Sequence, residues 1–277
     1  MSEIKIFICA HKEVELPQHP YFLPVQAGAA LRDPIPGYQP DSEGDNISAK
    51  NPNFCELTCH YWAWKNLKHV DIVGLNHYRR YFDFQLNWPQ FSADKHFVKT
   101  DSFLSLPYQF PDLEKLLQEY DIILPIARHW RVSNTQQYAD YHIAKDWEML
   151  RQIIKERSPQ YIPAFERTMD RSNKSVGYNM FITHWKHFNA YSEWLFDILF
   201  EVERRVPPID DPVQSRIYGY MSERLINVFC EHYHLRIKHV PLVMPLDDAH
   251  DGLNISPLHA TWRRLVNDIH YRMKASK

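Results

Sequence analysis

The chain has 277 residues, a formal net charge of −2 and 14% aromatic side chains. This length supports one large domain or two small ones, and the near-neutral charge argues against broad, nonspecific binding of nucleic acid. Its seven glycines form neither GxGxxG nor GxxxxGK[ST], so the two commonest dinucleotide and phosphate loops are absent. The four cysteines lack disulfide-framework and zinc spacing, which predicts reduced thiols in a cytoplasmic protein. Neither a signal peptide nor a membrane span is expected.

The first predicted strand covers residues 4–10, an apolar run that ends at His11 and Lys12. The segment 17–53 is rich in Pro, Gly, Asp and Asn and predicts a long ordered loop, which in compact domains is usually functional or disordered. Because strand ends of a parallel sheet converge on one edge, the two basic residues are expected to face a cleft there.

A helix and a second strand come next. Residues 51–67 predict the helix, with Asn53 as its N-cap and Glu56 as its capping-box partner, and residues 69–78 predict the strand. Residues 83–111 have no regular pattern. The remaining elements are a helix at 111–120, a strand at 121–126, a helix at 136–157, a strand at 176–183, helices at 188–206 and 221–233, and a strand at 236–243. This alternation predicts an α/β fold with a mostly parallel central sheet flanked by helices.

The second predicted strand runs into the basic cluster of His77, Arg79 and Arg80. Arginine presents a rigid fork of donors that suits phosphate, so the cluster is expected to bind an anionic group such as a nucleotide diphosphate. The alternative is a purely structural cluster in which the arginines pair with carboxylates such as Asp71 and Asp83.

Three further groups of polar residues are candidates for a site. Asn179 lies at the start of a predicted strand, where its amide could bind sugar hydroxyls or simply form a turn. Glu223 lies in the predicted first turn of a helix that Gly219 precedes, where a carboxylate is placed either as a base or to complement the helix dipole. The loop at 44–51 carries polar side chains that could bind a ribose or another sugar; the alternative is that they only form a series of turns. These residues are Asp45, Asn46, Ser48, Lys50 and Asn51.

Metal and hydrolase chemistry find little support in the sequence. Tyr138 and His142 lie four apart on one predicted helical face, but metal spacing of this kind needs two good ligands and tyrosine is a poor one. No HExxH or GxSxG motif is present, and no cysteine has an activating neighbourhood.

Five motifs resemble one protein family in their order and spacing. They are IKIFICAHK, GDNISAKNPNFCELTCHYWAWKN, GLNHYRRYF, GYNMFI and SERLINVF, and the resemblance runs from about residue 3 to about residue 245. The chain resembles bacterial polysaccharide-synthesis proteins that were long labelled only as a domain of unknown function. That family has since been assigned as galactofuranosyltransferases of O-antigen and capsule assembly.

The resemblance implies a GT-A-like nucleotide-sugar-binding domain over residues 1–250 and an inverting transfer from UDP-galactofuranose to a glycan. Many GT-A enzymes carry a metal-binding Asp-x-Asp motif where this chain has NHYRR, so fixed guanidinium charge is expected to replace a metal, with no cofactor. The resemblance also implies that Glu223 is the base, with Asp45, Asp140 and Asp170 as rivals. The donor-binding residues expected are His11, Lys12, Asp45, Asn46, Asn51, His77, Tyr78, Arg79, Arg80 and Asn179, with Tyr138 and His142 on the acceptor side.

Residues 251–277 are expected to extend the same domain as a basic amphipathic helix. From residue 262 onward they hold five Lys or Arg and one acid, a net of 5 − 1 = +4. Such a helix could lie on an anionic membrane, at the inner face of the bacterial inner membrane, beside a lipid-linked glycan acceptor. The alternative is that its apolar stripe packs on the domain or on a second subunit. The stripe comprises Trp262, Leu265, Val266, Ile269 and Met273.

Two other functions fit the same residues. One is a different UDP-hexose-dependent transferase, including a metal-dependent galactopyranosyltransferase. The other is a noncatalytic module that binds a nucleotide sugar or a carbohydrate.

Overall fold

The computed structural model describes residues 2–85, 93–207 and 209–275. Its strands are β1 (Ile4–Ala10), β2 (Phe22–Gln26), β3 (Gln39–Pro40), β4 (Ile72–His77), β5 (Tyr81–Phe82), β6 (Lys95–Val98), β7 (Ile122–Pro125), β8 (Arg128–His129), β9 (Lys174–Ser175), β10 (Phe181–His184), β11 (Ile237–Val240) and β12 (Leu242–Pro245). Its α-helices are α1 (Asn51–Phe54), α2 (Leu57–Asn66), α3 (Thr100–Leu104), α4 (Leu113–Glu119), α5 (Asn134–Tyr141), α6 (Ala144–Arg157), α7 (Ile162–Phe165), α8 (Trp185–Arg205), α9 (Ile217–His232) and α10 (Pro257–Ala275).

Seven strands form the central sheet in the order β11-β7-β10-β4-β1-β2-β3. Six of them run in one direction, and β10 is antiparallel to both of its neighbours. β1 and β4 lie at the centre and are buried almost throughout, as continuous apolar strands of a covered parallel sheet should be. The predicted α/β fold with a mostly parallel sheet and flanking helices is therefore confirmed.

The predicted loop at 17–53 is wrong in part, because it contains β2 and β3. Pro24 lies in the middle of β2 and cannot donate to a ladder, so the local pattern argues against a strand. Pairing with β1 overrides that local signal, since Ile8 faces Pro24 in the parallel register. Asp41, at the end of β3, accepts hydrogen bonds from the backbone N–H groups of Gly28 and Ala29 at 2.8 and 2.9 Å. These bonds order the turn between β2 and β3.

Close packing at the middle of β4 requires a glycine. A Cβ atom at Gly74 would lie 2.8 Å from both Ile182 Cγ1 and Ile6 Cδ1, and 2.9 Å from the Phe181 carbonyl oxygen. Such distances are shorter than real contacts, so a larger residue would push β1 and β10 apart. The glycine thus allows β1 and β10 to pack closely on the two sides of β4.

Two elements that the sequence predicts as continuous are divided in the structure. The strand at 236–243 splits between β11 in the central sheet and β12 in a smaller sheet of order β5-β12-β6, because Pro241 interrupts the ladder between them. The helix at 136–157 splits into α5 and α6, with extended backbone at His142 and Ile143.

The predicted helix at 51–67 is also divided, and its predicted cap is wrong. Cys55 has a φ of 53° and separates α1 from α2. Asn53 lies inside α1 and donates through Nδ2 to the Ser215 carbonyl at 2.9 Å. Glu56 precedes α2 without a side-chain cap bond, because its carboxylate instead accepts a hydrogen bond from Asn179. Tertiary contacts therefore decide the geometry of this segment.

The long helix α8 forms the main support on one face of the sheet. It packs against α2, α6 and α9, and one side of it is buried from Phe188 to Val202. None of the helices within the described ranges combines the length and the apolar character that crossing a bilayer requires.

Candidate active site

A cavity of about 500 Å³ lies at the carboxyl ends of β1 and β4. These are neighbouring parallel strands, paired Cys9 to His77, so their ends open on the same edge of the sheet. His11 follows β1, and His77, Arg79 and Arg80 come from the end of β4 and just beyond it. The structure therefore brings together four of the five basic strand-end residues that the sequence singled out, all but Lys12, where α/β sheets usually bind ligands.

The wall of the cavity is strongly cationic. Five arginines and two glutamates line it, a net of 5 − 2 = +3 before the histidines are counted. Burial and the neighbouring arginines lower the pKa of His11 and hold that of His77 well below its usual range, so both rings are neutral near pH 7. The positive charge therefore comes from guanidinium groups. They belong to Arg32, Arg79, Arg80, Arg128 and Arg216.

Aromatic rings hold the two strand-end arginines. The guanidinium carbon of Arg79 lies 5.0 Å from the ring centre of Tyr78, and that of Arg80 lies 4.9 Å from the ring centre of Tyr178. Burial lowers the pKa of Arg80, and its Nε atom is buried with no hydrogen-bond partner. An unpartnered buried donor in a cavity is available to a ligand.

The ion-pair alternative for these arginines is not what the structure shows. Asp71 accepts a hydrogen bond from the Glu3 N–H at 2.9 Å, and Asp83 lies 3.2 Å from His96 Nε2. Within the described ranges, neither Arg79 nor Arg80 forms a salt bridge with a carboxylate.

Glu223 reaches the cavity from the second turn of α9, and the predicted start of this helix is wrong. The helix begins at Ile217, so Gly219 lies inside it and no acid lies in its first turn. A glycine suits this position because a Cβ atom would lie 3.2 Å from Cys55 Sγ, a tight contact. The Glu223 side chain is 28% exposed and lies 3.4 Å from Arg224 Nη1.

A second carboxylate, Glu56, lies in the cavity, although sequence reasoning assigned it only to a cap. Asn179 Nδ2 donates to Glu56 Oε1 at 2.8 Å and Asn179 Oδ1 accepts from Ser222 Oγ at 2.8 Å, which ties the loop before α2 to α9. Burial raises the pKa of Glu56, and Glu223 raises it further, against the opposing effects of Asn179 and Arg80. The amide of Asn179 is thus buried beside the cavity and positions a carboxyl group.

The junction of α1 and α2 contributes a thiol to the wall. Arg216 Nε lies 3.2 Å from Cys55 Sγ. Burial, followed by the effect of Glu56, raises the pKa of Cys55 to about 12, so this thiol is protonated at neutral pH. A protonated thiol is a poor nucleophile, which agrees with the absence of an activated cysteine in the sequence.

Of the other residues expected at the site, one lines this cavity, two line a neighbouring cavity and two lie outside both. Asn51 lines it and accepts a hydrogen bond from Arg32 Nη1 at 3.0 Å. Lys12 and Tyr78 line a neighbouring cavity of about 350 Å³, which Arg79 also borders. Asp45 and Asn46 lie outside both cavities: Asp45 accepts from the Tyr61 hydroxyl at 3.1 Å, and Asn46 donates to the carbonyls of its own loop.

The two acceptor-side candidates and the rival bases also lie away from the cavity wall. Tyr138 is 1% exposed and lies under Arg224, whereas His142 stacks on Tyr220, a wall residue, with ring centres 4.2 Å apart. Asp140 accepts from Gln136 Nε2 at 2.7 Å, and Asp170 accepts from Thr135 Oγ1 at 2.7 Å. Glu223 and Glu56 are the acids that border the cavity in the described part of the chain.

Sequence reasoning missed several residues of the wall. Glu56 and Tyr178 lie inside two of the five motifs but were not assigned to the site. The others lie outside those motifs and have no local pattern that marks them: Arg32, Arg128, Arg216 and Tyr220. Within the described ranges, no group of three or more His, Cys, Asp or Glu residues is arranged to hold a metal ion.

Comparisons with known proteins identify the family and support the fold. The apo structure of WbbM, a bifunctional glycosyltransferase, is similar with a TM-score of 0.77 and 26% sequence identity, covering 90% of this chain and 48% of that one. The chain thus spans about half the length of that protein. No protein of curated function matches the chain. The profile of the family described as a domain of unknown function, DUF4422, matches residues 5–234. The chain therefore belongs to the DUF4422 family.

Proposed function

We propose that this protein is a glycosyltransferase that binds the diphosphate of a nucleotide-sugar donor in the cavity at the ends of β1 and β4. The main support is five arginines around two carboxylates at the carboxyl edge of a mostly parallel sheet. Arginine forks bind phosphate oxygens in pairs, and a cavity of about 500 Å³ is large enough for a small ligand. The similarity to WbbM over 90% of the chain supports the same function.

The proposed donor is UDP-galactofuranose, and the proposed product is a galactofuranosylated glycan in O-antigen or capsule synthesis. The five sequence motifs that resemble galactofuranosyltransferases support this choice, and all five contribute residues to the wall of the cavity. A different UDP-hexose would need the same diphosphate contacts, so the choice of sugar depends on the part of the cavity around Glu56 and Glu223.

The strand-end arginines are proposed to stabilise the departing UDP. When the bond between the anomeric carbon and the donor phosphate breaks, negative charge develops on the diphosphate, and positive charge already in position lowers the energy of that state. Many GT-A enzymes carry a metal-binding acidic pair at the end of a central strand, and Arg79 and Arg80 are proposed to take that place at the end of β4. The fixed guanidinium charges would then stabilise the diphosphate in place of a divalent ion, and no cofactor is proposed.

Glu223 is the proposed base. In an inverting transfer, it would take the proton from an acceptor hydroxyl as that oxygen attacks the anomeric carbon opposite the UDP. The new bond joins the acceptor oxygen to the sugar, UDP leaves, and the proton stays on Glu223. Glu56 accepts a hydrogen bond from Asn179, which holds its carboxyl group in position to bind a sugar hydroxyl.

The proposed acceptor is a lipid-linked or free oligosaccharide glycan, used by a cytoplasmic protein at a membrane surface. His142 stacks on the ring of Tyr220, so it could position this wall residue from behind, and Tyr138 lies on the same helix. The cationic residues line a cavity of about 500 Å³, which suits a small anion, and no nucleic-acid partner is proposed.

The proposed function is tested with a panel of UDP-sugars that includes UDP-galactofuranose, by measuring UDP release with and without glycan acceptors. We expect the fastest release with UDP-galactofuranose and a further increase with the right acceptor. Fastest turnover with another UDP-hexose would show that the donor sugar is not galactofuranose, while the protein would still be a glycosyltransferase. Tight UDP binding without turnover on any donor would instead identify a noncatalytic binding module.

A further inference from the structure

The C-terminal helix α10 has an unusual orientation on the domain. Its polar face points inward: Asn267 Nδ2 donates to the His129 carbonyl at 2.7 Å, and Asp268 accepts from His129 Nδ1 at 2.9 Å and from Asn173 Nδ2 at 2.8 Å. A helix on the surface of a soluble domain normally buries its apolar face instead. These polar bonds hold α10 in a fixed position on β8 and on the loop before β9.

The apolar face of α10 points outward. Five side chains at helical spacing form a stripe along it, and each is about half exposed or more: Leu258 (84%), Trp262 (63%), Leu265 (57%), Ile269 (48%) and Met273 (63%). The sequence alternative in which the stripe packs on the domain is therefore wrong for these side chains. Val266, which the sequence placed in the stripe, lies at its partly buried edge. A contiguous apolar stripe of this kind marks an interaction surface.

A basic cavity of about 560 Å³ lies between the inner face of α10 and the domain. Its cationic residues outnumber its one carboxylate, that of Asp94, by 5 − 1 = 4 charges. Asp94 is already paired with Arg128 at 2.7 Å, and in the described ranges no carboxylate pairs with Lys95 or Arg263. The cations are Lys95, Arg128, Arg131, Arg263 and Arg264.

This excess of positive charge indicates an anionic ligand. Burial and then Arg128 lower the pKa of Lys95. Burial also lowers the pKa of Arg264, and Arg263 lowers it further against the opposing effects of Asp94 and Asp268, so neighbouring cations of this cavity repel one another. Burial also lowers the pKa of His129, so its ring adds no charge near pH 7. The planar forks of Arg and the ammonium group of Lys both suit the oxygens of a phosphate.

The stripe and the cavity lie on opposite faces of α10, so the thickness of the helix sets how far apart they are. A helix is about 10 Å thick, and an interfacial helix buries its apolar face about 5–10 Å into the boundary between headgroups and acyl chains. If the stripe enters that layer, the opposite face of α10 lies near the level of the lipid phosphates. The cavity lies on that face, since Arg263, Arg264 and Asn267 contribute to its wall.

We propose that α10 is a membrane-surface helix: its apolar stripe enters the interfacial layer of an anionic bilayer, and the basic cavity on its inner face binds the phosphate of a lipid headgroup. Arg128 borders both this cavity and the candidate active site. Docking would therefore place the active site beside the membrane, where lipid-borne substrates are concentrated. The proposal does not require transferase activity, so each of the two proposals can fail without the other.

The test is co-sedimentation of the full chain with vesicles of phosphatidylcholine and phosphatidylglycerol, compared with vesicles of phosphatidylcholine alone. The stripe variant carries Trp262→Ser and Leu265→Ser, and the cavity variant carries Arg131→Gln and Arg263→Gln. Each of these two variants has a matched control variant that replaces exposed residues elsewhere on the surface. They are Leu106→Ser with Tyr141→Ser for the stripe, and Lys68→Gln with Arg171→Gln for the cavity.

We expect the wild-type chain to bind the anionic vesicles and the stripe variant to bind at least about tenfold more weakly. The cavity variant should bind anionic vesicles about fivefold more weakly for each cation removed. Its binding to phosphatidylcholine vesicles should not change, because it retains the apolar stripe. Both control variants should bind like the wild type. Circular dichroism checks that each variant is folded; all four residues replaced on the stripe and in its control are exposed, so their loss should not unfold the chain.

Three results would overturn the proposal. The wild-type chain could fail to sediment with anionic vesicles, or the stripe variant could bind as well as the wild type. The third is a stripe covered by a second copy of the chain: size-exclusion chromatography with light scattering would show a dimer that the stripe variant converts to a monomer, with no vesicle binding by either. Equal binding of the cavity variant and the wild type would remove the phosphate site from the proposal.

Discussion

Replacing Arg80 with alanine is expected to weaken UDP binding, or to slow transfer, by more than about tenfold. A hydrogen bond to a charged group contributes roughly 1.5–3 kcal/mol, which corresponds to a factor of about 10 to 150. Arg80 should have the larger effect of the two strand-end arginines because it is half-buried and has an unpartnered Nε, whereas Arg79 is exposed. Calorimetry with UDP and steady-state kinetics on the donor measure the two quantities.

Two further variants separate charge from geometry at this position. Arg80→Lys keeps the positive charge but removes the planar fork, so it should recover only part of the loss. Arg79→Ala should have a smaller effect than Arg80→Ala, since the Arg79 side chain reaches the cavity from the solvent side. Unchanged binding and unchanged kinetics in both alanine variants would show that the cluster is structural and not a diphosphate site.

Replacing Glu223 with glutamine should reduce kcat by about 10²–10⁴ while UDP binding changes little. Glutamine has the same shape as glutamate but cannot take a proton at neutral pH. The acceptor hydroxyl would therefore have to attack without a base to remove its proton. The substitution should not unfold α9, because the side chain is partly exposed and its nearest charged neighbour, Arg224, has other partners in the Tyr220 carbonyl and Gln137.

The matched variant at the second carboxylate is Glu56→Gln. It keeps a hydrogen-bonding group against Asn179 and removes only the ability to ionise, so we expect a smaller loss of kcat than at Glu223. If Glu56→Gln abolished transfer and Glu223→Gln did not, the base would be Glu56. If both variants retained full turnover, neither carboxylate would be the base.

The strand-end part of the site could be predicted from the sequence because it depends on short-range patterns. The apolar runs that form β1 and β4 end at His11 and at the segment His77 to Arg80, and parallel strands bring such ends to one edge. Between residues 111 and 206 the elements could be located only in part. α4, β7 and α8 lie close to their predicted ranges, whereas the predicted helix at 136–157 is divided into α5 and α6, and β8, β9 and α7 were not predicted.

The rest of the site depends on contacts between distant segments. Arg32, Arg128 and Arg216 reach the cavity from three separate parts of the chain, and none belongs to a motif that could mark it. Glu56 has the spacing of a capping-box residue, but the buried amide of Asn179 is a stronger partner than a helix end. Gly219 suggests the start of a helix, whereas it lies inside α9 where the helix packs closely on Cys55.

The amphipathic pattern of α10 could be read from the sequence, but its orientation could not. A stripe of apolar residues predicts a buried face, and only the hydrogen bonds of Asn267 and Asp268 to β8 and its neighbours show that the polar face is the one that packs inward. The basic cavity beneath the helix likewise requires the fold, because Lys95 and Arg128 come from segments far from α10.

The central claim is that guanidinium groups bind the donor diphosphate in place of a metal ion, and calorimetric titration of UDP in the presence of EDTA tests it most directly. The five arginines of the cavity belong to the protein itself, so chelation should leave UDP binding unchanged relative to a titration with added manganese. Binding that appears only when manganese is restored would contradict the claim and identify a metal-dependent transferase.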